Sequence, residues 1–296
     1  MDSSATATWT RGIALAGLCA IVLPPAAAGD AQPPQTQLSS PAADAKLIDA
    51  LRKKGVRLET GQITAWFSPK AMPREDMNVL VDRLGKGVAA LEAFLHTPRR
   101  WQESRPRRVE YFFDDGPFFI PHATVSGQVL IPMTRLREGQ APILHETTHA
   151  LLSPPQGRRP LAWLTEGLAA YVAKSVAAQT GIEEGDRFEL GDVPELDSKC
   201  AAGLSSDPGP KILPFIGAPG NLPVLYAMEP ALVVRRVFYG CSASFTKYLI
   251  GRLGLERVVD VLPEDDPHKT LEAHAGATMA SLRSSWMESI GAKTPR

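Results

Sequence analysis

Residues 143–152, ILHETTHALL, set His145 and His149 four positions apart, with Glu146 directly after the first, inside an otherwise apolar run. On a helix the two imidazoles differ by about 40° in direction and about 6 Å along the axis, so both converge on one point. Glu146 lies about 100° round from His145, close enough to approach that point without ending on it. Two unpaired imidazoles and a carboxylate in one apolar turn carry a desolvation cost with no evident compensation, and a divalent cation relieves it. The bland alternative is a pair of satisfied core histidines on a buried helix.

A metal site needs a third ligand, and WLTEGLAAYV supplies Glu166, seventeen residues beyond His149. Gly167, Ala169 and Ala170 beside it leave room for two helices to approach closely. Two neutral histidines, one carboxylate and a fourth open position form the ligand pattern of a hydrolytic zinc centre, with one Zn2+ per chain. Pro142 suits the first turn of the helix through ILHETTHALL, and SPPQGRRP ends it. A second helix, LAWLTEGLAAYVAKSVAAQ, follows after that short connection.

The rest of the chain supports a folded domain around these helices. Of 296 residues, 44% are hydrophobic and 22% charged, enough for one sizeable core. With 32 basic and 32 acidic residues, charge gives no reason to expect nucleic acid as a partner. The basic run TPRRWQESRPRR reads as a solvated connection. At the start, Arg11, the apolar stretch GIALAGLCAIVLPP, and Ala26 and Ala28 in an A-x-A pattern describe a signal peptide over residues 1–28. Its apolar run is too short for the roughly 20 residues of a spanning helix, so no stable membrane anchor is expected. Leu18 before Cys19 argues against lipidation. The reading is therefore a secreted or periplasmic protein, with a Pro- and Ser-rich flexible leader at 29–44.

A catalytic domain is expected over 45–296, of class α+β. Its first part, 45–135, holds the helix ADAKLIDALRKKG, the strand GQITAWFSP, the helix REDMNVLVDRLGKGVAALEAFL, and the strands RRVEYFFDDG and VSGQVLIPM. That makes a small sheet backed by a helix. The second part, 136–296, is mainly helical. Within it, the Gly- and Pro-rich stretch from Gly181 to Gly240 is too long for a plain connection and reads either as a loop that sets access or specificity or as an insertion without a role. Cys200 lies in this stretch and Cys241 directly follows it. An even pair in an exported chain favours a disulfide, worth about 4 kcal/mol by loop closure. Two separate buried thiols are the alternative.

HETTH followed by WLTEGLAAYV resembles the gluzincin metallopeptidases, and W-L-x-E-G-L-A-x-Y is most similar to the bacterial peptidase MA-like proteins. YGCSASFTKYLIGRLGLERVVDVL and LEAHAGATMASLRSSWMESI are similar to their helical C-terminal part. The resemblance implies a zincin-like fold, with His145, His149 and Glu166 as zinc ligands and Glu146 as general base. It also implies a peptide or protein substrate laid along VSGQVLIP as an edge strand. Thermolysin carries an aspartate four residues after its glutamate ligand, where this chain has Ala170, so the partner of His145 has to come from elsewhere.

Peptide hydrolysis also needs a donor for the oxyanion. Tyr239, just before the CSASFTKYLI helix, is the first candidate, with His122 and Tyr226 behind it; Tyr171 reads as core. Two other functions use the same residues. One is a non-catalytic, metal-stapled binding or assembly protein, for which Glu146 would be superfluous. The other is iron and oxygen chemistry on a two-histidine, one-carboxylate set, against which a base beside the first histidine favours hydrolysis.

Overall fold

The structure is a computed structural model and describes residues 40–95, 108–116, 120–124, 126–152, 161–186, 188–219, 224–225, 227–228 and 230–292. The expected signal peptide, the leader as far as residue 39, most of the basic run, the SPPQGRRP connection and Tyr226 lie outside them. The described residues belong to the unit Gln37–Arg296.

Helix α1, Pro41–Lys54, begins inside the stretch expected to be leader. The Ser40 hydroxyl accepts from the Ala43 N–H, Pro41 opens the first turn, and Asp44 meets the positive end of the helix. No apolar period marks this turn because it is largely exposed, which is why composition alone read it as leader. Ile48 and Leu51 form the buried side, as their spacing predicts.

Five strands form one mixed sheet: β1 (Val56–Thr60), β2 (Ile63–Phe67), β3 (Val109–Asp114), β4 (His122–Ala123) and β5 (Gln128–Pro132). The order is β1-β2-β3-β5-β4, with β2, β3 and β5 parallel and the two outer strands antiparallel to their neighbours. β1 was not legible: it is a half-exposed edge strand, joined to β2 by the two residues Gly61 and Gln62. Strand alternation divides the sheet's side chains. Trp66, Phe112 and Leu130 stand in register and pack against α1. Tyr111, Phe113, Val129 and Ile131 face the main core. The sheet is therefore covered by helices on both faces, not one. VSGQVLIP is not an edge strand, because β5 is paired on both sides; the edge beside it is the two-residue β4.

Helix α2, Arg74–Leu95, buries Met77, Val81, Leu84, Val88, Leu91 and Leu95, the stripe that its three-and-four spacing implies. After β5 come the short α3 (Met133–Arg137), α4 (Ile143–Leu152) and α5 (Ala162–Thr180). The stretch expected as a long loop contains α6 (Leu196–Leu204), α7 (Gly209–Ile212), a 3₁₀ turn at Leu213–Phe215, and the first half of α8 (Ala231–Leu253). Its glycines and prolines punctuate short helices. Helices α9 (Leu255–Asp260), α10 (Pro267–Ala275) and α11 (Met279–Ser289) complete the C-terminal part. Cys200 on α6 and Cys241 on α8 form a disulfide with their Cα atoms 4.8 Å apart. Among the described residues, no helix is long and apolar enough to cross a membrane.

Helices α5 and α8 meet at Gly167, directly after Glu166. A Cβ at Gly167 would lie 2.3 Å from the Ser242 carbonyl oxygen and 2.3 Å from Thr246 Oγ1. Because one obstruction is backbone, a rotamer change does not relieve it. Gly167→Ala is expected to push α5 off α8 and cost about 1–3 kcal/mol. Urea unfolding measures this; an unchanged midpoint would show that the two helices are free to separate.

Candidate metal centre

Helix α4 buries Glu146, Thr147 and Thr148 and half-buries His145 and His149, so these polar groups need partners inside the protein. Thr147 Oγ1 donates to the Ile143 carbonyl at 2.6 Å, and Thr148 Oγ1 to the Leu144 carbonyl at 2.8 Å. With its proton committed, Thr147 accepts from the Tyr111 hydroxyl of β3, 2.8 Å away. Burial raises the Tyr111 pKa, the Thr147 bond opposes this and the Glu184 charge adds to it, so the phenol stays a donor. The sheet thereby fixes the rotation of α4 about its axis.

That rotation turns His145 and His149 towards α5, where Glu166 meets both. Glu166 Oε2 lies 3.2 Å from His145 Nε2 and 3.2 Å from His149 Nε2, and the two Nε2 atoms are 3.1 Å apart. A tetrahedral zinc ion with bonds of about 2.0–2.1 Å holds its ligand atoms about 3.3–3.4 Å apart. The three donor atoms thus already form a triangle of nearly the right size. Two imidazole nitrogens and a carboxylate oxygen also suit a borderline divalent cation chemically. These three residues can hold a metal ion.

The charges of these residues point the same way. Burial works against a charge on His149, but the charge and hydrogen bond of Glu166 overcome it and push the imidazole up to about 9. For Glu166, burial is outweighed by the His149 charge and by hydrogen bonds from both histidines, and its carboxyl lies far below the usual range. His145 is lowered, chiefly by burial, despite its bond to Glu166. One proton therefore occupies the place where a cation fits.

Glu146 is 8% exposed and belongs to none of these contacts. Burial raises its pKa to about 8; the His149 charge opposes this, the Glu166 and Glu184 charges reinforce it, and the backbone N–H of Ala123 on β4 lowers it by donating a hydrogen bond. Glu146 and His145 open onto a cleft of about 930 Å³ including its open mouth, lined also by Ala170, Phe188, Leu190 and Tyr239.

Of the expected site residues, His145, Glu146, His149 and Glu166 come together. Tyr239 does not precede the helix but lies within α8; its ring is 6.0 Å from that of His145 and stacks on Phe188 at 4.7 Å. It lines the cleft beside the site. His122 turns away: Nε2 meets Asp44 Oδ2 at 3.0 Å and Nδ1 meets the Ile120 carbonyl at 3.0 Å. Tyr171 packs among core residues, near Phe94. Sequence reasoning missed Glu184, which accepts from the backbone N–H groups of Leu144 at 2.7 Å and His145 at 3.0 Å. Burial raises its pKa to about 7, against those two bonds and the Lys174 charge. Nothing in the motif marks it, because it reaches α4 from beyond the end of α5. No protein-family model and no curated protein matches the chain, so the function is read from this site.

Proposed function

We propose that this protein is an exported zinc-dependent peptidase of the gluzincin type, with a zincin-like fold. The observation that carries the reading is the triangle of His145, His149 and Glu166 with a separate buried carboxylate, Glu146, beside it. A structural metal staple needs the first three and has no use for the fourth.

His145, His149 and Glu166 would hold the ion. Zinc bound there supplies Lewis acidity, lowering the pKa of water and polarising a carbonyl. Glu146 faces the cleft and takes a proton from the attacking water, then delivers it to the leaving amine. A base of this kind works best with a pKa near the working pH, and burial moves Glu146 in that direction, while a divalent cation nearby favours its carboxylate form. The cleft beside His145 and Glu146 receives the substrate. Phe188, Leu190 and Ala170 give it an apolar wall, and β4 supplies the sheet edge next to the base.

The test is metal content paired with turnover. The purified protein is expected to carry about one zinc per chain and to cleave members of a diverse peptide mixture. A chelator should stop cleavage and added zinc should restore it. Bound zinc without cleavage of any peptide would favour the binding-protein alternative, and a protein that takes up no zinc would sink the reading.

A further inference from the structure

We infer that Glu184 is a positioning residue of the metal centre, locking the start of α4, and with it His145, to the segment that leaves the helix bearing Glu166. The inference rests on the metal reading above and concerns what holds the ligand triangle in place.

The first N–H groups of a helix have no partner within it. In α4 two of them, Leu144 and His145, donate to the two oxygens of one half-buried carboxylate, that of Glu184, at 2.7 and 3.0 Å. A negative charge there also meets the positive end of the helix. The carboxylate arrives by a short, braced route. Helix α5 ends at Gly181 in the left-handed region, and Glu184 follows three residues later. Gly185 then donates its N–H to the Ala141 carbonyl at 3.0 Å. A Cβ at Gly185 would lie 2.3 Å from the Gln140 carbonyl carbon, so this backbone lies flat against the chain entering α4.

The next carboxylate closes the clasp on its other side. Asp186 Oδ2 accepts from Lys174 of α5 at 2.8 Å, while Asp186 also accepts the N–H groups of Leu190 and Gly191. Segment 181–186 is therefore tied to α5 through Lys174 and to α4 through Glu184. Its ties bear on the α4–α5 spacing, which sets the distance between the imidazole nitrogens and Glu166. An ordinary helix cap would stabilise the fold without controlling that distance, and the two roles predict different results.

The experiment uses the full chain with Glu184→Ala, Glu184→Gln and, as a control, Asp266→Ala, which removes the side-chain cap of α10. Zinc affinity is measured by competition with a chromophoric chelator, well below the unfolding temperature. Glu184→Ala is expected to weaken zinc binding by about 10–100-fold. Glu184→Gln, which keeps one acceptor, should fall between it and the parent, and Asp266→Ala should bind as the parent does. In the metal-free proteins, amide exchange at Leu144 and His145 should quicken in the Glu184 variants alone. If Glu184→Ala fails to fold, Glu184→Gln carries the comparison. Parent-like zinc affinity in a folded Glu184 variant, or an equal loss in Asp266→Ala, would overturn the role. A parent that binds no zinc overturns the metal reading and this role with it, whereas a zinc-binding parent with indifferent variants overturns the role alone.

Discussion

Glu146→Gln is expected to lower peptide turnover by about 10²–10⁴-fold while leaving one zinc bound per chain. The substitution keeps the shape of the side chain, and its amide oxygen still accepts the Ala123 N–H that meets Glu146. What it removes is the ability to take a proton. None of the contacts among His145, His149 and Glu166 involves residue 146, so the donor triangle is untouched. Nor should the fold weaken. The parent buries a carboxyl whose ionised form is costly enough to raise its pKa to about 8, and an amide has no such cost. The variant should therefore equal or exceed the parent in stability at high pH. Steady-state turnover and metal content, measured on the same samples, read the result. Undiminished turnover would mean that another group is the base, and lost zinc would make Glu146 a ligand.

The residues of the candidate metal centre were legible because helix geometry links position in sequence to direction in space. His145 and His149 converge for that reason alone, and Glu166 was found because a neighbouring helix offered a carboxylate beside small residues. Gly167 does let α8 approach closely there, as its size suggests. The helix α2 was readable to its ends because its buried face repeats over 22 residues. Illegibility began where partners lie far apart in the chain. Glu184 meets Leu144 across 40 positions, and Tyr111 meets Thr147 across 36. No local period records such pairings. Strand β4 has two residues, too few for alternation to show, so the sheet edge was assigned to β5 instead. Tyr239 reads as lying just before a helix that starts at CSASFTKYLI, because the polar and glycine residues around Tyr239 mask a helix that in fact begins at Ala231.

Metal-free and zinc-loaded protein should respond to pH in opposite directions, because a proton and the ion compete for one place. Without metal, Glu184, Glu146 and His149 have values of about 7, 8 and 9, against ordinary values of 4.5, 4.5 and 6.5. All three are raised, so each binds its proton more tightly in the folded state than in the unfolded one. Such a group favours folding fully below its unfolded value and loses that contribution as pH rises through its folded value. The metal-free protein should accordingly lose stability between about pH 5 and 9. Glu166 and Asp186 are lowered, so their contributions are present across this range and fade only in acid, while the lowered His145 opposes the loss below its ordinary value of 6.5. Zinc reverses the trend, because it binds neutral imidazole and must displace the proton that Glu166 holds on His149. Its affinity should rise by up to about tenfold per pH unit as His149 gives up that proton, and its stabilising effect should grow with pH at fixed free zinc. Urea unfolding at pH 6, 7.5 and 9, with zinc and with chelator, separates the two curves. A metal-free protein equally stable at pH 6 and 9 would show that His149 and Glu166 share no proton. The fit of a cation to their place would then rest on the distances alone.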